Sequence, residues 1–172
     1  MMNNLTFEHL QTPESLQIIR DIAADIWPKT FGSILSAEQI RYMMQMMYAP
    51  EVMEKELAEG FHFEIVKIDN LPGGYMVWSP CCEQPDTAKL HKLYLLQKHH
   101  HQGIGSAMLS HVANSLKDSG FKKVKLNVNK YNIPAKKSYL RNGFTVVEAV
   151  KIDIGNNFYM DDFVMEKELG GL

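Results

Sequence analysis

The sequence has few cysteines, no long apolar run and no excess of charge of one sign. Its 172 residues include only two cysteines, the adjacent Cys81 and Cys82. Neighbouring cysteines rarely bond to each other and two ligands do not complete a zinc site, so we expect reduced thiols, no disulfide and no metal. With 18 Lys and Arg against 20 Asp and Glu, the chain lacks the basic surface that nucleic-acid binding requires.

Two further absences concern membranes and export. No apolar run reaches the roughly 20 residues that span a bilayer, and Met1–Leu5 does not begin the basic and then apolar pattern of a secretory signal. A chain of 172 residues, 45% of them hydrophobic, has the size and composition of one ordinary domain. We therefore expect a single cytoplasmic domain over residues 1–172 that binds neither nucleic acid nor membrane.

Apolar periodicity predicts the order β-α-α-β-β-β-α-β-α-β-β, with a further short helix after the second one. The predicted strands are 5–10, 61–68, 74–79, 88–96, 123–128, 144–152 and 158–167. The predicted helices are 12–27, 36 to the interruption at Pro50, 51–59, 103–119 and 133–142. Alternating strands and helices of this kind indicate an α/β protein with a mixed sheet.

Capping and turn residues set these boundaries. Thr12 and Pro13 suit a helix start, and Pro28 predicts its end. The segment from Ser36 to Gln39 is a capping box, so a second helix should begin there. The turn-rich segment 69–73 predicts a hairpin, whereas the strand-helix-strand unit 88–128 should be locally parallel.

A glycine turn between a strand and a helix is the first candidate for ligand binding. In His100-His101-Gln102-Gly103-Ile104-Gly105-Ser106, the glycines let backbone N–H groups approach an anion at the positive end of the following helix. A tight turn without a ligand remains the alternative. The turn lacks the Lys and Ser or Thr of a P-loop and the third glycine of a dinucleotide site.

The next helix is the second candidate. Tyr139 lies seven residues after Asn132, about two helical turns, so both side chains can point towards one groove. On their own, Asn132 could be a helix cap and Tyr139 a core aromatic residue.

Together the two elements resemble the GNAT N-acetyltransferase superfamily, whose core has a strand, a Q/R-x-x-G-x-G/A turn, a helix, a strand and then N-x-x-A-x-x-x-Y-x-x-x-G-F. Here these parts are the strand at Leu90–Leu95, the turn at His100–Gly105 and the segment Asn132–Phe144. His100 departs from the usual Arg or Gln. The resemblance implies a mixed, mostly antiparallel twisted sheet flanked by helices. The acceptor-side helices would lie at about 12–60 and the acetyl-CoA-binding core at about 87–144.

The resemblance also implies residue roles for acetyl-CoA. The strand before the turn would pair with the pantetheine arm, and the amide of Leu95 would stabilise the oxyanion. The glycine turn would hold the pyrophosphate. Lys136 and Lys137 would reach the nucleotide phosphate, although an exposed lysine pair could instead be a solvated helix face. The implied cofactor-binding residues are Leu93, Tyr94, Leu95, His100, His101, Gln102, Gly103, Gly105, Ser106, Asn132 and Lys137.

Two catalytic roles follow from the same resemblance. A primary amine with a pKa near 10.4 is neutral in about one molecule in 2,500 at pH 7, so a base is useful. His91 matches the base of the arylalkylamine N-acetyltransferases, although it could instead be a structural histidine. Tyr139 matches the family's general acid, which protonates the departing thiolate of CoA. Transfer would then be direct within a ternary complex.

The acceptor is less well specified. The family's acceptor site is built from the first helices, where we expect Trp27, Phe31 and Tyr48 to contact a small-molecule amine or a peptide. A loose resemblance to bacterial spermidine/spermine N-acetyltransferases and the acidic residues Glu51, Glu54, Glu56 and Glu59 suggest a polyamine, although these residues could instead form a solvated helix face. The run His99–His101 is a poor metal site, because consecutive side chains of an extended segment point to opposite sides.

Two alternatives stay open. The chain could bind acetyl-CoA without turnover as a sensor or partner domain, or it could be a nucleotide-binding domain of another class. We also consider a homodimer formed through the edges of the C-terminal strands.

Overall fold

The predicted sequence of strands and helices is present in a computed structural model, which describes residues 3–170. The described residues form seven strands: β1 (Leu5–Leu10), β2 (His62–Ile68), β3 (Leu71–Pro80), β4 (Thr87–Leu95), β5 (Lys123–Asn129), β6 (Thr145–Gly155) and β7 (Phe158–Glu168). The five α-helices are α1 (Gln17–Phe31), α2 (Ala37–Tyr48), α3 (Pro50–Ala58), α4 (Ile104–Asp118) and α5 (Ile133–Arg141).

The chain divides into two compact units, and β4 contributes to both. The first unit holds the described chain up to Ser79 together with Lys92–Gly105, and the second holds Pro80–His91 and the described chain from Ser106 onwards. The prediction of one domain over 1–172 stays a prediction.

The first unit consists of strands β1 to β3, the second half of β4 and helices α1 to α3. β2 pairs antiparallel with β1 on one side and with β3 on the other, with Leu5 opposite Ile68 and Phe63 opposite Val77. Its core contains large side chains with 2% exposure or less: Trp27, Phe63, Tyr75, Ile65, Met53 and Met76.

The second unit consists of the first half of β4, strands β5 to β7 and helices α4 and α5. β4 pairs in parallel with β5, with Lys89 opposite Lys125, and β7 pairs antiparallel with both β5 and β6. Its core includes Met108, Leu116, Leu126 and Met165, each 1% exposed or less.

The strand order confirms the predicted fold class. The strands are hydrogen-bonded in the order β1-β2-β3-β4-β5-β7-β6. The pairing of β4 with β5 is parallel, as predicted, and the pairs of β1 with β2, β2 with β3, β5 with β7 and β6 with β7 are antiparallel. The sheet is therefore mixed and mostly antiparallel.

The predicted end of the first helix at Pro28 is wrong. α1 starts after a 3-10 turn at Glu14–Leu16 and continues through Pro28 to Phe31. Proline removes one helical hydrogen bond near the end of the helix. Burial of Trp27 and Phe31, four residues apart with ring centroids 4.5 Å from each other, offsets that loss. By contrast, the predicted cap of α2 is confirmed, since Ser36 Oγ accepts a hydrogen bond from Gln39 N at 3.1 Å.

Both hairpin turns are shorter than predicted. Only Asp69 and Asn70 separate β2 from β3, and only Asn156 and Asn157 separate β6 from β7. All four residues have φ between 52° and 70°. Asp and Asn tolerate this left-handed conformation, which two-residue hairpin turns require, so the strands extend into the segments predicted as loops.

Strand β6 is last in the strand order and has exposed apolar residues, among them Val146, Val147 and Ile152. The homodimer through C-terminal strand edges stays a prediction. No helix in the described part of the chain is long and apolar enough to cross a membrane.

Candidate active site

The end of strand β4 is held in place by its neighbours in the first unit. Leu95 is buried, whereas Leu93 and Tyr94 are half-buried. A Cβ atom added to Gly74 on β3 would lie 2.5 Å from the carbonyl oxygen of Tyr94, so this close approach of the two strands requires glycine. The amide of Leu96 donates to the carbonyl oxygen of Gly73 at 2.8 Å. The predicted pantetheine-binding strand therefore has a closely defined backbone path.

The structure gives a role to His100, the residue that departs from the family pattern. A ring nitrogen of His100 lies 2.9 Å from the carbonyl oxygen of Leu95, at hydrogen-bonding distance. The side chain therefore ties the turn back to the end of β4. Gln102 is fixed as well, because its Nε2 donates to Lys98 O at 3.1 Å and its Oε1 accepts from Asn3 at 2.9 Å.

The glycine turn has the backbone geometry of an anion site. His101 and Gly103 have φ of 62° and 77°, and α4 begins at Ile104. A Cβ atom added to Gly103 or Gly105 would meet no heavy atom within 4 Å, apart from their own chain neighbours and helix backbone. The first N–H groups of a helix lack intrahelical partners and attract negative charge. The open space at these glycines thus suits a pyrophosphate.

In the second unit, Asn132 acts as the cap of α5. Its Oδ1 accepts a hydrogen bond from Ala135 N at 3.4 Å, and the helix begins at the next residue. At the other end of α5, Asn142 Nδ2 donates to Ser106 Oγ on α4 at 3.2 Å. This bond joins the two helices and leaves the hydroxyl hydrogen of Ser106 for another acceptor.

Tyr139 lies on α5 between these two bonds. Its ring centroid is 5.6 Å from that of Phe144, and Phe144 N donates to Tyr139 O at 3.0 Å. Burial raises the pKa of Tyr139 to about 12, because the phenolate would lose its hydration. The phenol is consequently protonated at neutral pH and can act as a proton donor.

Two other predicted residues are accessible in this unit. His91 is half-buried near the middle of β4, two residues after the paired Lys89. Lys137 is exposed on α5, whereas the Nζ of neighbouring Lys136 lies 4.5 Å from the ring centroid of Phe163. Of these two lysines, Lys137 is the more exposed, as its predicted contact with a phosphate requires.

The three predicted acceptor contacts belong to an aromatic cluster in the core of the first unit. Trp27, Phe31 and Tyr48 are 2%, 6% and 3% exposed. Trp27 Nε1 donates to Tyr48 Oη at 3.0 Å, and Tyr48 Oη lies 2.6 Å from Tyr75 Oη. Tyr94 completes the cluster 5.9 Å from Trp27 and is its half-buried member. Direct contact of the first three with an acceptor stays a prediction, and Tyr94 has the most accessible ring.

A groove of about 560 Å³ lies beside this cluster on helices α1 and α2. Arg20, Arg41 and Tyr48 are among its lining residues, and none of the residues that line it is acidic. A cationic surface of this kind disfavours a protonated amine. The groove is therefore a poor candidate for the acceptor site.

Lys92 and Gly74 are not among the residues predicted from the sequence. Lys92 is 6% exposed although it is a lysine. One signal was available, because the alternation along β4 places Lys92 on the same face as Leu90 and Tyr94. No sequence pattern marked Gly74, whose role depends on the backbone of another strand.

Comparisons with known proteins identify the family and the fold of this chain. The family model described as the acetyltransferase (GNAT) family matches residues 16–144. A spermidine N(1)-acetyltransferase of Thermoplasma acidophilum is 24% identical over 160 residues, which cover 90% of this chain and 92% of that protein.

Solved structures show the same fold. The PaiA N-acetyltransferase of Thermoplasma acidophilum, crystallised with coenzyme A, has a TM-score of 0.79 at 24% identity and covers 96% of this chain and 99% of its own. The ribosomal-protein-S18-alanine N-acetyltransferase of Escherichia coli has a TM-score of 0.72 at 16% identity, with 98% and 96% coverage.

The chain belongs to the GNAT acetyltransferase family. It is an N-acetyltransferase that takes the acetyl group from acetyl-CoA, as the resemblance implied.

Proposed function

We propose that this enzyme transfers the acetyl group of acetyl-CoA directly to a primary amine of a small molecule or a peptide within a ternary complex. The observation that carries the proposal is the protonated phenol of Tyr139. This phenol matches the family's general-acid position, and burial raises its pKa to about 12, so it is protonated at neutral pH. Protonation of the leaving thiolate is the step for which a direct transfer needs such a group.

The donor is held by two backbone features of the first unit. The segment Leu93–Leu95 pairs with the pantetheine arm, and the open glycine turn from His101 to Gly105 receives the pyrophosphate. The resemblance to the family supports Ser106, Asn132 and Lys137 as further donor contacts, and Lys137 is exposed, as contact with the nucleotide phosphate requires. The cap of α5 by Asn132 keeps the helix that carries Tyr139 well defined.

The proposed reaction has three proton-balanced steps. His91 removes a proton from the acceptor ammonium, and the neutral amine attacks the thioester carbonyl carbon. The amide of Leu95 stabilises the resulting oxyanion. The C–S bond then breaks as the C–N bond is retained, and Tyr139 protonates the sulfur to release CoA. The nitrogen's remaining extra proton passes to the solvent, and proton exchange with water restores both residues.

We propose a polyamine as the acceptor. This choice is supported by the relative from Thermoplasma acidophilum named spermidine N(1)-acetyltransferase and by the exposed acidic residues Glu51 and Glu54 of α3. Trp27, Phe31 and Tyr48 shape the acceptor side through Tyr94, the half-buried member of their cluster.

Kinetics with a panel of amines test this proposal. We expect a higher kcat/KM with spermidine than with an aminoglycoside or with a peptide that has a free N-terminus. Equal or higher values for the peptide would contradict the polyamine assignment.

The reduced thiols and the use of acetyl-CoA support a cytoplasmic location, which fractionation of the source cells would check.

A further inference from the structure

Strand β4 has a buried lysine within the first unit. Lys92 is 6% exposed, and its Nζ donates to the carbonyl oxygen of Met47 in the last turn of α2 at 3.2 Å. The same Nζ lies 3.9 Å from Glu56 Oε2 on α3 and 4.5 Å from the ring centroid of Tyr48. One ammonium group thus connects β4 to both α2 and α3.

Stability does not explain this lysine. Burial lowers the pKa of Lys92 and raises the pKa of Glu56, although each partly offsets the shift of the other. Apolar residues of similar volume are often as stabilising as a buried ion pair, or more so. The contact with Met47 O at the negative end of α2 reduces the penalty but leaves a charge where Leu or Met would pack. A charge kept at such a position points to a role in the reaction.

The contacts of Lys92 lead to Tyr94. Tyr48, whose ring faces the ammonium, is fixed by Trp27 Nε1 at 3.0 Å and by Tyr75 Oη at 2.6 Å. The ring of Tyr94 is 5.9 Å from Trp27 and 5.5 Å from Tyr75. Lys92 and Tyr94 are two residues apart on one strand, so their side chains share a face. Any shift of Lys92 is therefore transmitted to Tyr94 directly and through packed rings.

The backbone beyond Tyr94 has little freedom to absorb such a shift. A Cβ atom on Gly74 would lie 2.5 Å from Tyr94 O and 3.3 Å from Leu95 Cα. The carbonyl oxygen of Leu95 lies 2.9 Å from the ring nitrogen of His100. Displacement of β4 by a few tenths of an ångström would thus alter the position of the Leu95 amide.

We propose that Lys92 is a positioning residue whose ammonium, held by Met47 O, Glu56 and Tyr48, sets the path of Leu93–Leu95. This inference rests on the proposed role of that segment in binding the donor and stabilising the oxyanion. The charged form is the active one. A neutral amine loses both its attraction to the Tyr48 ring and its ion pair with Glu56.

The titratable groups around Lys92 behave differently above neutral pH. Burial raises the pKa of Tyr48 and of Tyr75 well above their ordinary value, so both phenols stay neutral. Glu56 faces the ammonium from α3, and Glu59 adds to the rise of the Glu56 pKa. Burial lowers the pKa of Lys92. As the pH rises, Lys92 is therefore the group of this cluster that loses its charge below the ordinary lysine pKa of about 10.4.

The test is the pH profile of kcat from about pH 7 to about pH 11. In the unmodified enzyme we expect kcat to fall on the alkaline side with an apparent pKa below that of free lysine. Glu56→Gln should move this fall to lower pH, because it removes the charge that raises the Lys92 pKa. Lys92→Arg, which stays charged, should abolish the fall over this range. Lys92→Met should lower kcat about tenfold and remove the fall.

Stability provides a second readout with the opposite sign. Because the pKa of Lys92 is lower in the folded state, the unfolded chain binds this proton more tightly. The free energy of unfolding therefore rises with pH between the folded-state pKa and about 10.4. This contribution is lost in Lys92→Met. Deprotonation thus favours the fold while it lowers turnover, whereas a purely structural lysine would change both in the same direction.

Two results would overturn the inference. One is an unchanged alkaline fall in Lys92→Arg, and the other is normal kcat in Lys92→Met. The control is Lys67→Met on β2, where an ion pair with Glu8 at 2.6 Å is lost, and it should keep the normal profile. If Lys92→Met does not fold, the shift in Glu56→Gln decides the question. Failure of the proposed function would be distinct, since the unmodified enzyme would then transfer no acetyl group to any amine.

Discussion

The glycine turn after β4 and the aromatic cluster in the core of the first unit differ in whether backbone or side chains form them. In the turn, Gly103 and Gly105 leave open space, and the backbone would form the proposed pyrophosphate site. In the cluster, Trp27 and Tyr48 are 3% exposed or less and their polar atoms are bonded to each other. Backbone sites require glycines at fixed spacing, whereas packed side chains accept many solutions. The proposed donor side is therefore recognisable from sequence, whereas the proposed acceptor side is not.

The largest effect is expected from removing the proposed proton donor. Tyr139→Phe should lower kcat about 10³-fold, because the thiolate then leaves without a proton donor. The affinity for CoA, measured by calorimetry, should stay unchanged. Since the pKa of Tyr139 is about 12, its ionisation should not lower kcat below about pH 11.

Tyr131→Phe is the matched control, because that tyrosine is 65% exposed just before α5. It should behave like the unmodified enzyme. Normal turnover in Tyr139→Phe would show that another group protonates CoA.

The base is expected to matter most at neutral pH. His91→Gln should lower kcat/KM about 10²-fold near pH 7, where few acceptor amines are neutral. The ratio of the unmodified enzyme to the variant should shrink towards one near pH 10, because the acceptor then arrives deprotonated. A ratio that does not change with pH would indicate a structural histidine.

Substitution of Gly105 should change the stability of the fold and the affinity for CoA in opposite directions. It is the second residue of α4, and a methyl group there meets open space, so Gly105→Ala should stabilise the fold by about 0.5–1 kcal/mol. The same methyl group should obstruct the pyrophosphate and raise the Kd of CoA about tenfold, or 1.4 kcal/mol. Thermal unfolding and calorimetry measure the two effects. Unchanged CoA affinity would move the phosphate site away from this turn.

Gly74 tests the packing of β3 against β4, and its substitution should change stability in the direction opposite to that of Gly105. The added Cβ of Gly74→Ala would lie 2.5 Å from Tyr94 O, so the strands must separate. We expect a loss of about 1–3 kcal/mol in the free energy of unfolding, measured by urea denaturation. Gly105→Ala serves as its control. Equal stability of the two variants would mean that the approach of β3 to β4 is looser than described.

Local signals predicted much of this molecule. The capping box at Ser36 placed the start of α2, and the helix that carries Tyr139 begins where it was predicted, with Asn132 as its cap. The end of α1 was mispredicted, because burial of Trp27 and Phe31 outweighs the bond lost at Pro28. Burial of this kind depends on residues far away in the sequence.

The same limit applies to the candidate site. The bond between His100 and Leu95 O could not be read from the family pattern, in which His100 was only a departure. Alternation along β4 indicates only the face on which Lys92 lies. Its partners Met47 and Glu56 belong to α2 and α3, which are distant from β4 in the sequence. The side-chain partners of such residues therefore depend on long-range contacts, which local sequence patterns do not predict.

The most direct test of the central claim is the initial rate measured with acetyl-CoA and spermidine varied together, with the product identified by mass spectrometry. Direct transfer in a ternary complex predicts intersecting double-reciprocal lines and acetylated spermidine formed in equal amount to free CoA. Parallel lines, together with an acetyl group found on Cys81 or Cys82, would contradict it.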